Sequence, residues 1–344
     1  MKFLLAIAAV LLLSSLVFAQ DTTPTNLASP TETPDPEPYA ALEQYTIEAM
    51  RAREYPGGQI ALMRTLQITD TYTRYFIEYP SDDLTITGIL QMPQGEGPFP
   101  VIILNHGYIR QPDYWSGYET WEAAGYLNAR GYMTVAPDFR SWGLSDWDVS
   151  LFHGGLTVDV LNLISALGTI PQADTERIGM WGHSMGGGIA MKALVIDPRI
   201  DAVVLYATNS ADDADLIAHY GPGCLYGIRA GRRCNRGEVI PAEIDETLFE
   251  TYLDAAADSE FLKRVSAIRY LSGVTSPVQI HIGTRDTVVD DIWSTKLFNT
   301  LNNVGIGAEF YWYENQDHTF WGESWLTFMQ RVTRFFDEHV KNGG

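Results

Sequence analysis

The sequence predicts an α/β protein, a mostly parallel twisted sheet flanked by helices and carrying a cap insertion. Three observations predict it. After Pro100, unbroken apolar runs recur at 101–104, 132–136, 178–181, 202–206, 278–282 and 308–313, the texture of strands covered on both faces. Helical patterns lie between them at 121–130, 157–167, 185–195 and 291–301, and alternating strands and helices imply right-handed crossovers and parallel pairing. Finally, Gly182-His183-Ser184-Met185-Gly186 closes one such run and opens one such helix, which is the pattern of a tight strand-to-helix turn.

Residues 1–19 read as a signal peptide rather than as fold. Lys2 supplies a positive start, 3–18 is an apolar stretch interrupted by Ser14 and Ser15, and Val17-Phe18-Ala19 has the small-x-small form of a cleavage site. The apolar stretch falls short of the roughly 20 residues that span a bilayer, so export is expected over a retained anchor. The mature protein is then secreted or extracytoplasmic, in a periplasm or cell envelope, with no stable membrane insertion. Residues 20–38 hold five threonines and five prolines and almost nothing apolar, a composition that cannot offset its ordering entropy and is expected to be a disordered linker. The remaining chain, 39–344, suits one large α/β domain.

Within it, 39–53 has helical spacing (Leu42, Tyr45, Ile47, Met50) and stops at Pro56-Gly57-Gly58. The segments 60–68, 72–79 and 84–92 alternate, and Pro80-Ser81-Asp82-Asp83 divides the last two; they are expected as antiparallel edge strands. The apolar runs and helices above follow, and an amphipathic helix at 325–340 ends the chain. Between 206 and 278 no core strand is evident, far beyond the usual connection of roughly 2–6 residues. An insertion at about 209–273 is expected to cap the strand ends. It carries Cys224 and Cys234, ten positions apart, which in an exported protein read as a disulfide rather than a metal site. The formal charge of −20 argues against nucleic acid and anionic membrane surfaces as partners.

The candidate chemistry starts at Ser184. In a G-x-S-x-G elbow the small flanking residues permit a turn so tight that the serine hydroxyl is pushed into the open. A serine hydroxyl is nearly inert at neutral pH and needs a base, which in turn needs an orienting acid. Both are expected later in the chain, on loops after strands. Asp286 follows the strand at 278–282 and His318 follows the strand at 308–313. Of the seven histidines, His339 falls in the terminal helix and His281 inside a strand. His183 points elsewhere by alternation, and His106, His153 and His219 precede the acid. Asp290 and Asp291 remain alternatives to Asp286. For the oxyanion, the expected donors are the backbone N–H of Met185 and that of Tyr108, in the Asn105-His106-Gly107-Tyr108 loop.

Together, His106-Gly107-Tyr108, Asp138-Phe139-Arg140-Ser141-Trp142-Gly143-Leu144-Ser145, the serine pentapeptide, Asp286 and His318 resemble the α/β-hydrolase superfamily. Within it the chain is similar to prolyl-oligopeptidase-like catalytic domains and feruloyl-esterase-like enzymes, over roughly 60–340. The resemblance implies an α/β-hydrolase fold, with Ser184 as nucleophile, His318 as general base then acid, and Asp286 as its orienter. It also implies that 138–145 is mostly structural. The chain is too short for the propeller of the related peptidases, and no acidic pair for a peptide amino terminus is evident. The expectation is therefore a serine carboxylic-ester hydrolase, with a peptidase or amidase on small peptides as the alternative and a non-catalytic binding protein as a remote one. No cofactor and no metal are implied. Candidate substrate contacts are Tyr114, Trp115, Trp142, Arg232 and Arg233, the arginines because Arg229, Arg232, Arg233 and Arg236 cluster beside the cysteines in an otherwise acidic chain.

Overall fold

A computed structural model describes residues 38–222 and 246–343. The chain from Tyr39 onward is one compact unit built on a nine-stranded sheet. Its strands are β1 (Ala61–Ile68), β2 (Tyr72–Ser81), β3 (Leu84–Pro93), β4 (Phe99–Asn105), β5 (Met133–Pro137), β6 (Ala173–His183), β7 (Ile200–Tyr206), β8 (Val278–Gly283) and β9 (Ala308–Tyr313). Their spatial order is β1-β2-β3-β5-β4-β6-β7-β8-β9. The first three strands pair antiparallel and β3 joins β5 antiparallel. Every pairing from β5 through β4 to β9 is parallel. The alternating N-terminal segments thus form one edge of the sheet, and the apolar runs form its parallel body, as their patterns imply.

The helices are α1 (Ile47–Ala52), α2 (Trp121–Asn128), α3 (Gly154–Ala166), α4 (Met185–Ile196), α5 (Asp213–Tyr220), α6 (Glu246–Ala257), α7 (Ser259–Val265), α8 (Asp291–Asn303) and α9 (Glu323–Phe336). The helix expected at 39–53 is split. A 3-10 turn at Ala40–Tyr45 precedes Thr46, whose side chain accepts the Ala49 N–H and so caps a new helix, α1. Alternation along β4 and β7 divides the core in two. Val101, Ile103, Val203 and Leu205 pack with α3, α4 and α8 on one face. Ile102, Leu104, Val204 and Tyr206 pack with α2 and α9 on the other. Each such fully buried side chain contributes about 1.5–3 kcal/mol. The stretch Leu151–Thr169, which includes α3, is long and apolar enough to cross a membrane, but 89% of it is buried inside the protein, so it is a core helix.

The insertion between β7 and β8 contributes α5, α6 and α7 among the described residues. Its inner edge is anchored by charge. The Lys192 Nζ, on α4, donates to the Phe152 carbonyl (2.7 Å), the Val265 carbonyl (2.8 Å) and Asp213 Oδ1 (3.0 Å), and all of these are buried. Phe152 packs edge-on against Tyr252 of α6, with ring centroids 4.8 Å apart. Cys224, Cys234, Arg229, Arg232, Arg233 and Arg236 lie outside the described residues, as do the N-terminal 1–37.

Candidate active site

Parallel register brings the candidate residues to one edge of the sheet. Asn105 pairs with Gly182, and His183 with Tyr206, so the loop after β4 leaves the sheet beside the serine turn. Asp286 and His318 follow β8 and β9, whose last residues Gly283 and Tyr313 are also paired. Four loops therefore converge at the carboxyl ends of neighbouring parallel strands, where α/β sheets place their ligands.

Ser184 has φ 53° and ψ −118°, a strained conformation for a residue with a side chain. Three observations explain how the turn is held. The Ser184 N–H donates to the Tyr206 carbonyl (3.0 Å), and the Ser184 carbonyl accepts the N–H groups of Gly187 (3.0 Å) and Asn209 (2.9 Å). A Cβ on Gly182 would lie 2.4 Å from the Gly186 carbonyl oxygen, and one on Gly186 would lie 2.1 Å from that of Asn105. Both glycines of the pentapeptide are therefore obligatory. Gly187 is equally constrained, by Thr208 Oγ1 at 2.2 Å, whereas Gly188 has ordinary contact distances.

His318 Nδ1 lies 2.9 Å from Asp286 Oδ2. The other carboxylate oxygen accepts the N–H groups of Val288 (2.9 Å) and Val289 (3.1 Å). Because a carboxylate only accepts, Nδ1 carries the proton and Nε2 is left as the basic nitrogen. Gly283 makes this pairing sterically feasible, since a Cβ there would meet the Gln316 carbonyl at 2.3 Å. Burial pushes the His318 pKa below its ordinary value; the Asp286 hydrogen bond opposes this, and the neighbouring His183 adds to it. Of the alternative acids, Asp290 caps α8, accepting the Ile292 N–H at 3.1 Å, and Asp291 begins that helix.

The loop after β4 lies directly on the serine. A Cβ on Gly107 would sit 3.1 Å from the Ser184 Cβ and 2.9 Å from Glu119 Oε2. Tyr108 follows this glycine, and Met185 opens α4, where the first N–H groups have no acceptor within the helix. Both backbone donors thus belong to segments that border Ser184.

Two expected substrate contacts are corrected. Tyr114 is buried, and its hydroxyl donates to Asp138 Oδ1 at 2.8 Å. Trp142 is 1% exposed, and its Nε1–H donates to the Ile109 carbonyl at 2.7 Å. Neither ring is free to meet a ligand, because each has a polar end that burial obliges to find a partner. Both belong to a brace centred on Asp138, which also accepts the hydroxyls of Thr87 and Ser116 at 2.6 Å each. Arg140 extends the brace, donating to both carboxylate oxygens of the buried Asp159 on α3. Trp115, by contrast, is half exposed and lines a cleft of about 470 Å³ with Trp121, Arg74 and Gln91.

Sequence reasoning missed two residues. His183 does not point away from the site: its ring lies 4.6 Å from that of His318, and its Nε2 is 3.0 Å from the His318 carbonyl oxygen. Glu119 contacts His183 Nδ1 at 2.8 Å and accepts the Gly107 N–H at 2.6 Å. The only signal for His183 was its position beside the serine; Glu119 had none. Among the described residues no cluster of three or more histidine, cysteine or acidic side chains could hold a metal ion.

Comparison with known proteins agrees with this architecture. Residues 97–324 match the family described as serine aminopeptidase, S33. The chain belongs to that family. It is a serine hydrolase of the α/β-hydrolase fold. The esterase FrsA of Shigella boydii serotype 18 is 34% identical over 125 residues, which cover 34% of this chain and 27% of FrsA. The chain thus matches about a quarter of the length of that relative. Acetyl xylan esterase 1 from Thermoanaerobacterium sp. JW/SL YS485 superposes with a TM-score of 0.60 at 17% identity, covering 86% of this chain and 93% of the esterase. The acylaminoacyl peptidase of Pyrococcus horikoshii superposes with a TM-score of 0.61 at 19% identity, covering 80% of this chain and 43% of the peptidase. These two likenesses concern the fold.

Proposed function

We propose that the protein is an exported hydrolase of small carboxylic esters that works through an acyl-enzyme on Ser184. The observation that carries the reading is the strained Ser184 turn in company with a His318 imidazole whose Nδ1 is committed to Asp286. His318 Nε2 takes the Ser184 proton as Oγ attacks the ester carbonyl. The tetrahedral oxyanion is held by the N–H groups of Tyr108 and Met185, a type of donor that lowers the barrier by about 3–4 kcal/mol. His318 then protonates the leaving alcohol, and water repeats the sequence on the acyl-enzyme. Every group that the reaction requires comes from the protein, so no cofactor enters.

The preference for esters rests on the esterase relatives. The family description and the acylaminoacyl peptidase likeness favour small peptides as the second reading. Export rests on residues 1–19, and the amino-terminal sequence of protein recovered from outside the cytoplasm tests it. The activity test is a panel of p-nitrophenyl acetate, butyrate and octanoate, methyl ferulate and Ala- and Pro-p-nitroanilides, with Ser184→Ala as control. Ester turnover lost in Ser184→Ala is the expected result. Anilide turnover above ester turnover would move the protein to the peptidase reading, and ester turnover retained in Ser184→Ala would refute the role of Ser184.

A further inference from the structure

Beside the triad lies a second histidine–carboxylate pair, deeper in the protein and without a part in proton transfer. His183 is 1% exposed. Its two ring nitrogens face two groups that only accept hydrogen bonds: Glu119 Oε1 at 2.8 Å from Nδ1, and the His318 carbonyl oxygen at 3.0 Å from Nε2. Nδ1 makes no aligned hydrogen bond to Glu119, so this contact is one of charge: a buried carboxylate oxygen 2.8 Å from the ring favours the imidazolium over the neutral form. The remaining Glu119 oxygen accepts the Gly107 N–H at 2.6 Å. Glu119 itself sits at φ 68°, a left-handed conformation that a side chain adopts at a cost and that its surroundings enforce.

From this geometry we propose that Glu119 and His183 are a charged pair of positioning residues, locking the oxyanion loop, the serine turn and the His318 loop into one arrangement and setting the electric field at His318. The proposal rests on the triad reading above. One carboxylate holds the backbone of the β4 loop. One imidazolium holds the backbone of the histidine itself. The residue that carries the imidazolium immediately precedes the nucleophile.

The electrostatics follow from what surrounds the pair. Tyr206 packs on His183 at 4.4 Å and Trp181 at 6.3 Å, and both rings are uncharged. The charged or titratable groups that act on the pair are Asp286, His318 and, toward Glu119, His106. Burial opposes charge on His183, yet the Glu119 carboxylate, the His318 carbonyl and Asp286 together outweigh it and raise the histidine above its ordinary value. Burial likewise opposes charge on Glu119, but His183 and the Gly107 N–H hold it down at about 2. At His318 the nearby imidazolium acts against protonation more strongly than the farther Glu119 carboxylate favours it. The pair therefore helps keep the base unprotonated at neutral pH, beyond what burial does alone.

Two measurements test this on the full chain. In Ser184→Ala protein labelled with ¹⁵N-histidine, His183, assigned by loss of its signals in His183→Gln, is expected to keep two protonated ring nitrogens at pH values above the ordinary histidine pKa of about 6.5. A single-tautomer His183 would overturn the charged pair. In Glu119→Gln and His183→Gln, kcat/KM for p-nitrophenyl acetate at neutral pH is expected to fall about tenfold or more, a loss of about 1.4 kcal/mol per decade. The acid limb of the pH profile, and the titration of His318 followed by NMR in the Ser184→Ala background, should both move to higher pH. The move should be larger in His183→Gln, where the Glu119 charge then acts uncompensated. Lower activity with an unmoved His318 titration would mean a purely structural contact and overturn the field. If wild type turns over neither ester nor anilide, the triad reading fails by itself, and the two NMR titrations still decide the pair.

Discussion

Replacing Asp286 by asparagine separates orientation from shape. The two Asp286 oxygens have different obligations. Oδ1 accepts two backbone N–H groups, at 2.9 and 3.1 Å, and Oδ2 faces His318 Nδ1 at 2.9 Å. An asparagine has one oxygen, and the two N–H donors claim it, because an amide NH₂ in that position would meet them donor to donor. The NH₂ group is then turned toward His318 Nδ1. That nitrogen must become the acceptor, the ring proton moves to Nε2, and Nε2 can no longer receive the Ser184 proton. The expected loss is about 10⁴-fold in kcat, the scale of a wrong-tautomer histidine, or about 5.5 kcal/mol. Asp286→Ala does not impose the wrong tautomer and should be no worse, even though asparagine is the closer isostere. Initial rates on p-nitrophenyl acetate, with circular dichroism to confirm folding and Ser184→Ala as the floor, measure both. Asp286→Asn activity within tenfold of wild type would refute the assignment of orienter. Asp290→Ala, which removes only the cap of α8, should cost about 1 kcal/mol of stability and leave kcat within about twofold.

The pH profile gives a further check. His318 must be unprotonated to act, so activity is present above its pKa and lost as pH falls through it. Because burial lowers that pKa, the acid limb of kcat/KM is expected below the ordinary histidine value of 6.5, and a limb above it would contradict the burial argument. Gly186→Ala, whose Cβ would lie 2.1 Å from the Asn105 carbonyl oxygen, should destabilise by about 3 kcal/mol or more in urea melts. Gly188→Ala, inside α4 with 3.5 Å to the Asn209 Cβ, should be neutral or stabilising by up to about 1 kcal/mol; equal effects at the two positions would refute the steric account. Lys192→Met leaves the buried Asp213, already raised to about 6 by burial against the opposing pull of Lys192, without its partner and should cost about 3–5 kcal/mol. Adding Asp213→Leu should recover much of that loss, and a neutral single variant would show that the anchor contributes nothing.

Local pattern determined a great deal. Strand and helix follow from hydrophobic period, so β4 through β9 and α2, α3, α4, α8 and α9 were legible to within a few residues. The pentapeptide around Ser184 was legible because the turn is so tight that only glycine fits on either side. Asp286 and His318 were legible because their place on loops after successive strands is itself a property of chain order. Other features needed the tertiary structure. Tyr114 and Trp142 look like pocket aromatics in a one-dimensional reading, but burial decides their role, and burial depends on the Asp138 brace folding over them. Alternation suggested that the His183 side chain points elsewhere, whereas its ring lies 4.6 Å from that of His318. It could not show that Glu119, far away in the chain, closes over that ring, nor that the loop after β9 descends onto it. Periodicity reports which side of an element is apolar; it carries no information about which distant loop supplies the partner for a buried charge. That pairing is set by register, by the strained backbone at Glu119 and Ser184, and by the cost of leaving a buried charge without a counter-charge.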